Sequence, residues 1–260
     1  NYTVRASGPS DTLTEWYDNA FDGFNADVIA ITQSGSEITG IDFALDSPGT
    51  ITGTITDADG VPLVGVVVEA QPLGDAEFLS TATDANGFYE LIGVAPVDYR
   101  IYAFADPFVN VVPQFFPGVS KRADAEIVTG TLSGAVTGID FELPEGAIIS
   151  GTVTAEGSGA PLFDIEVVVE SEEFDIDRSV YTDDNGDWTM RGLPTGDDYT
   201  VRFIDGNDTY LSEFYEDSPR RSGATPVALQ QGSTTANIDA ALTAAASIAG
   251  RVVDEQGNGI

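Results

Sequence analysis

The stretch "GIDFALDSPGTITG", residues 40–53, returns as "GIDFELPEGAIISG" at 138–151 and, more altered, as "NIDAALTAAASIAG" at 237–250. Ile41, Ile139 and Ile238 stand 98 and 99 residues apart, and Gly53, Gly151 and Gly250 keep the same two spacings. A fixed period is the mark of a tandem array, so it decides the architecture before any single element does. In the first half of the phrase Ile41, Phe43 and Leu45 alternate with Asp42 and Ala44, and Ile139, Phe141 and Leu143 alternate with Asp140 and Glu142. Alternation of this kind puts the apolar side chains on one face of a strand. Ser47-Pro48-Gly49 then turns the chain, and Thr50 to Gly53 opens a second strand. The phrase therefore reads as a seam, the last strand of one unit followed by the first of the next. In the third copy Ile238 and Leu242 are kept but Ala240 replaces the phenylalanine, which predicts a looser or differently packed seam there.

The match extends outward from these anchors. "GVPLVGVVVEA" at 60–70 parallels "GAPLFDIEVVVE" at 159–170, and "TDANGFYELIGV" at 83–94 parallels "TDDNGDWTMRGL" at 182–193. The opening "YTVRASGPSDTLTEWYDNA" lines up with "YTVRFIDGNDTYLSEFYEDS" at 199–218, so the sequence starts in the second half of a unit. We divide it into a half unit at 1–46, full units at 47–145 and 146–244, and the first strand of a further unit at 245–260. Connections such as Pro144-Glu145-Gly146 are too short for flexible tethers, which predicts a stiff row of beads. The two open ends fit either a window of a longer array or subunits that complement one another by strand donation.

Within a unit the segments are short, rich in Val, Ile, Thr and Tyr, and broken by Asp-Gly and Asn-Gly turns such as "DADG", "DANG" and "DDNG". Six or seven short strands in about 98 residues describe an all-β sandwich. Only short helical turns are expected, at Thr12–Tyr17 and Leu211–Tyr215. The order "ISGTV", turn, "G-x-PL", "V-x-V", "TD-x-NG-x-[YW]", "G-[LV]-P", "YTVRF", "EWY", "GIDF-x-L" resembles the carboxypeptidase regulatory-like repeats of bacterial or archaeal surface and secreted proteins. The resemblance runs over nearly the whole chain and implies a transthyretin-like, prealbumin-type sandwich used mainly as a spacer, stalk or accessory module.

Charge narrows the functional classes. Forty-three acidic against ten basic residues give a net charge of −33, which repels phosphate backbones and argues against nucleic acid as a partner. No apolar run of about 18 residues is present, so no membrane insertion is expected in this segment. The chain has no cysteine and no histidine, which removes thiolate and imidazole nucleophiles, bases and metal ligands. Carboxylate chemistry remains, and its simplest form is binding of a hard cation such as calcium.

Four candidate chemistries follow. Asp57 with Asp59, Asp84, and Asp183 with Asn185 and Asp187 present oxygens at alternating loop positions, suited to calcium; the same sequences also suit plain hairpin turns. The aromatic pairs Trp16-Tyr17, Phe115-Phe116 and Phe214-Tyr215 suit either stacking on a sugar of a polysaccharide or packing at the sandwich end, and the Trp-to-Phe interchange favours packing. A Lys–Asn or Lys–Asp isopeptide lock needs a lysine in every unit, whereas Lys121 stands alone. A glycosidase-like carboxylate pair within "ESEEFDIDR" at 170–178 has no counterpart in the preceding unit, so an enzyme is not expected. Asn1-Tyr2-Thr3 and Asn207-Asp208-Thr209 match the glycosylation sequon. Together these readings predict a non-enzymatic structural segment of an extracellular or cell-surface stalk, fibre or filament on a prokaryotic cell. Its partners would be neighbouring repeats of the same chain or identical subunits; the alternative is a carbohydrate- or ligand-binding adhesin module.

Overall fold

The computed structural model describes residues 1–9, 11–246, 250–252, 254–256 and 259. Two units divide the chain: Asn1–Ile148 with Arg191–Thr195 and Gln230–Ser233, and Ile149–Met190 with Gly196–Leu229 and Thr234–Ile260. The half unit expected at 1–46 thus belongs to the same compact body as the sandwich that follows it.

In the first unit Arg5–Ala6 (β1) and Glu15–Trp16 (β2) form a short antiparallel pair. Next come Gly49–Asp57 (β3), Val67–Pro72 (β4), Leu79–Ala82 (β5), Phe88–Val94 (β6) and Asp98–Phe104 (β7). Gln114–Phe115 (β8), Val128–Thr129 (β9), Ala135–Val136 (β10) and Phe141–Leu143 (β11) complete it. One sheet runs β5-β4-β7, with β8 and β9 sharing the outer edge of β7. The other centres on β3, with β6 antiparallel on one side and β10 and β11 parallel on the other. Period-two burial along each strand turns Ile51, Ile55, Val68, Tyr89, Leu91 and Ile101 into the space between the sheets.

The second unit repeats this plan. It comprises Ala147–Ala155 (β12), Ile165–Ser171 (β13), Ile176–Tyr181 (β14), Asp187–Leu193 (β15) and Gly196–Asp205 (β16), the first and fourth of which reach a few residues beyond the unit's bounds. Glu213–Phe214 (β17), Val227–Leu229 (β18), Thr234–Thr235 (β19) and Ala240–Leu242 (β20) follow. Val167, Val169, Trp188, Met190, Val201 and Phe203 fill its core.

The acidic run at 170–178 is the tip of a hairpin joining β13 to β14, with Glu170 opposite Asp177. The helical turns expected at Thr12–Tyr17 and Leu211–Tyr215 are absent; β2 and β17 stand there instead. Their amides find strand partners, Glu15 opposite Ala6 and Glu213 opposite Phe203, so a helical turn would leave those partners unpaired. Single 3₁₀ turns lie later, at Arg122–Asp124 and Arg221–Gly223.

Candidate functional site

The two halves of the repeated phrase are partners, but across successive copies. β11, from the second copy, lies parallel to β3, from the first, with Phe141 opposite Ile55 and Leu143 opposite Asp57. In the second unit β20 lies parallel to β12 with Val153 opposite Ala240 and Ala155 opposite Leu242. The phrase therefore closes each sandwich: its last strand returns to pair with the strand that began the same unit.

The glycines follow from this crossing. A Cβ on Gly53 would stand 2.0 Å from the Ile139 carbonyl oxygen, and one on Gly151 would stand 2.0 Å from that of Ile238. Only a residue without a side chain lets the closing backbone pass so close. Gly250, the third of the series, has nothing within 4 Å among the described residues. Polar side chains fasten the crossing. The Tyr89 hydroxyl donates to the Ile139 carbonyl at 2.6 Å, and burial together with the charge of Asp140 pushes its pKa up, so it stays a donor. The Thr54 amide and hydroxyl both donate to Asp140 Oδ1, at 2.7 and 2.9 Å. In the second unit the Thr152 amide donates to Asp239 Oδ1 at 2.8 Å. Trp188 takes the place of Tyr89, and its indole N–H has no hydrogen-bond partner among the described residues.

Of the other seam residues, Ile139, Phe141, Leu143, Ile238 and Leu242 are buried. Ile41, Phe43, Leu45 and Pro48 are only half-buried, and Ile41–Leu45, expected to be a strand, is not one. Among the described residues no strand of the β3 type lies beside it, and an isolated strand has nothing to satisfy its amides.

A second recurring position was not singled out from the sequence: the residue before each aromatic pair, Glu15, Gln114 and Glu213. Glu15 is fully buried; its Oε1 accepts from the Asp46 amide at 2.6 Å while Oε2 has no partner among the described residues. At the position equivalent to Asp46 the next copy has Pro144, which offers no N–H, and there the side chain is the neutral Gln114. Glu213 has a buried Oε1 with no partner among the described residues, and burial, reinforced by the charges of Asp217 and Glu156, raises its pKa to about 7. The signal was present in "EWY", "QFF" and "EFY", but an acid before an aromatic pair looks like surface charge until the strand face is known. A further residue with no sequence signature is Asn110: within the first unit its amide group donates to the Gly146 carbonyl at 2.9 Å and accepts from the Gly192 amide at 3.0 Å.

The family follows from a profile comparison that agrees with this repeated plan. A model of the carboxypeptidase regulatory-like domain matches residues 50–138 and again 148–243, together well over half of the chain. The chain belongs to the carboxypeptidase regulatory-like domain family. No curated protein sequence matches it. Among solved structures, the TIE protein of Bacillus anthracis is 13% identical, with a TM-score of 0.31 over 76% of this chain and 34% of that one. The minor pilin of Streptococcus agalactiae is 12% identical, with a TM-score of 0.34 over 79% of this chain and 100% of that one. The shaft pilin spaA of Lactobacillus rhamnosus GG is 9% identical, with a TM-score of 0.34 over 77% and 98%.

In these carboxypeptidase regulatory-like domains the loops proposed for calcium spend their carboxylates on their own backbone. Asp57 Oδ1 accepts from the amides of Asp59 and Val61, Asp84 Oδ1 from Asn86 and Phe88, and Asp183 Oδ1 from Asn185 and Asp187. The Asn86 and Phe88 amides hold the Asp84 carboxyl below its usual range. Asp187 instead accepts from the Thr152 hydroxyl. Among the described residues no three carboxylates gather as a cation cage.

The aromatic pairs divide. Phe115 and Phe214 are buried, whereas Trp16 is half-buried with Arg5 over its ring at 5.5 Å. Trp16 borders a cleft of about 310 Å³ in the first unit, with Arg5, Phe21, Asp75, Glu77 and Tyr99. The second member of each pair meets the seam: Tyr17 packs edge-on to Phe43 at 6.1 Å, and Phe116 edge-on to Phe141 at 6.0 Å. Tyr215 has Ala240 where these rings have phenylalanine, and a cleft of about 370 Å³ opens beside the two.

Proposed function

We propose that the chain is a non-enzymatic structural segment of an extracellular stalk, fibre or filament on a prokaryotic cell. The supporting observation is what the 98- and 99-residue period preserves. The glycine, aspartate and alternating apolar residues that recur close a sandwich, as Gly53 beneath Ile139 and Gly151 beneath Ile238 do. A chain that repeats its closure motif multiplies self-contained domains, and a high negative charge keeps such a surface solvated. Among the described residues no helix is long and apolar enough to cross a membrane.

Immunogold electron microscopy of intact cells with antibody to this chain tests the reading. Label along surface projections is expected, and label confined to the cell interior would overturn it. Calcium enters this reading as a stiffening ion at the Asp57, Asp84 and Asp183 loops; an unchanged melting midpoint on adding chelator removes it. A second reading, a sugar-binding adhesin module, is favoured by the Trp16 cleft, where an aromatic face lies beside Asp75, Glu77 and Arg5. Saturable affinity for a polysaccharide that disappears in Trp16→Ala supports that reading, and lack of affinity across a glycan panel ends it.

A further inference from the structure

The second unit departs from the first at several positions that fall together in space. One repeat on, Phe141 gives way to Ala240, Glu142 to Ala241, Phe116 to Tyr215, and Pro117-Gly118 to Glu216-Asp217. In the first unit the Phe141 ring is buried and packs edge-on to Phe116 at 6.0 Å. In the second that ring is gone, and the cleft of about 370 Å³ beside Tyr215 is walled by Ala240 and Ala241 and rimmed by Glu216, Asp217 and Asp239. We propose that this cleft binds a segment of a different protein, seating an aromatic side chain against Tyr215 while the three carboxylates hold an adjoining arginine or lysine. This goes beyond the stalk reading and does not depend on it.

Space specifies a ring. The first unit shows that a phenyl group fits between the closing strand and the second aromatic of the pair, and in the second unit alanine stands in its place. Tyr215 keeps its own ring, half-buried, where Phe116 has a phenylalanine to cover it. An edge-to-face pair contributes about 0.5–1.5 kcal/mol beyond the area it buries, so an incoming ring gains what the missing one supplied. An aromatic anchor in a pocket of this size is also what commonly dominates the energy of a protein contact.

Charge specifies what accompanies the ring. Glu216, Asp217 and Asp239 are exposed, and among the described residues no basic side chain lines the cleft. Asp239 Oδ1 accepts from the Thr152 amide at 2.8 Å and Glu216 Oε2 from the Thr225 hydroxyl at 2.7 Å, which fixes both carboxylates at the rim. Glu216 and Asp217 occupy the left-handed region, with φ of 62° and 58°, in a turn for which Asn-Gly is the ordinary choice. Backbone geometry therefore does not call for two acids there. A guanidinium or ammonium drawn to them would also meet the face of Tyr215.

The same field excludes a second copy of this chain as the occupant. Its most exposed phenylalanines, Phe24, Phe108 and Phe163, stand within two residues of Asp22, Asp106 and Asp164. Seating any of them would bring like charge to the rim, in a chain that already carries a net charge of −33. A partner of opposite charge pattern fits instead.

Titrating the full chain, its alanine methyls labelled, with the end-blocked peptide Gly-Arg-Phe-Arg-Gly tests this by NMR. Saturable shifts of the Ala240 and Ala241 methyls are expected, with a Kd on the order of 1 mM, as suits one ring and its flanking charge. Gly-Arg-Ala-Arg-Gly keeps the charge without the ring and should bind about tenfold more weakly. Gly-Glu-Phe-Glu-Gly, with the ring but the opposite charge, should not bind. Ala240→Phe fills the cleft without changing charge and should weaken binding of the first peptide by about tenfold, with a melting curve showing that the second unit is folded. Glu216→Gln combined with Asp217→Asn, on an exposed turn, should weaken it to a similar degree and serves if Ala240→Phe does not fold. Equal affinity for the phenylalanine and alanine peptides overturns the proposal, because basic peptides would then merely follow the net charge. Unchanged affinity in the folded variants, or shifts that spread over the surface without saturating, overturns it too. Each of these results leaves the stalk reading untouched.

Discussion

Replacing Gly151 by alanine should unfold the second sandwich at much lower urea. The added Cβ would stand 2.0 Å from the Ile238 carbonyl oxygen, against an ordinary carbon–oxygen contact of about 3.3 Å. Relief needs a displacement of more than about 1 Å, and the obstacle is backbone rather than the end of a flexible side chain. Moving Ile238 also disturbs the pairing of Val153 with Ala240 and of Ala155 with Leu242, and the Cβ would press on the Trp188 indole nitrogen at 3.0 Å. Overpacking alone costs roughly 1–3 kcal/mol, and loss of ladder geometry puts this case at about 3 kcal/mol. With a urea slope of about 1–2 kcal/mol per molar, the midpoint should fall by about 1.5–3 M. Trp188 is buried in this unit and reports it by fluorescence; Trp16→Phe silences the only other tryptophan. Gly206→Ala, with nothing within 4 Å, is the control and should leave the midpoint nearly unchanged. An unshifted midpoint for Gly151→Ala, or equal damage from Gly206→Ala, would refute the steric reasoning.

Tyr89→Phe removes the hydroxyl that meets the Ile139 carbonyl and should cost the first unit about 1–2 kcal/mol, read as a lower urea midpoint by circular dichroism. Ala240→Phe restores the ring that packs edge-on against the aromatic pair in the other copies and should stabilise the second unit by about 1 kcal/mol; a fall in midpoint would show that the cleft beside Tyr215 cannot take it. Glu213 carries a pKa near 7 in the folded chain against about 4.5 unfolded, so the fold favours its neutral form. Its contribution is therefore fully present below pH 4.5 and is lost as pH rises through 7. Glu213→Gln should match wild type at acid pH and exceed it at pH 8 by about 1–2 kcal/mol after allowance for solvent screening, whereas a pH-independent difference would contradict the assignment. Asp205 has the opposite sign: burial opposes its ionisation, but the amides of Asn207, Tyr210 and Thr209 outweigh this and hold its carboxyl below the usual range. Asp205→Ala should thus lower stability at neutral pH and make little difference once pH falls below the folded pKa, as thermal melts at several pH values would show.

Much of the sandwich could be read from residue patterns because strand alternation and turn chemistry are local. Ile139, Phe141 and Leu143 announce a face by their spacing, and the asparagine and glycine of "DANG" and "DDNG" announce tight turns by the backbone angles they permit. The site was harder. The recurring Gly53 and Gly151 marked a constraint without saying what imposed it, since the carbonyl above each comes from far along the chain; Thr54 and Asp140 are 86 residues apart. The short strands β2 and β17 stand where the sequence predicts helical turns, because two-residue edge strands have no periodicity of their own. The polar residue before each aromatic pair, Glu15, Gln114 or Glu213, lies in these same short strands and carries no signal of its own.

The period, the alternation and the turns by themselves determined an array of β-sandwich domains of about 98 residues, because each depends only on neighbours in sequence. Which strand lies against which is a choice among edges that look alike in hydrophobic pattern, and only the tertiary structure made it. It joined the first half of each phrase to the second half of the copy before. A boundary between units thereby became the closure of each one.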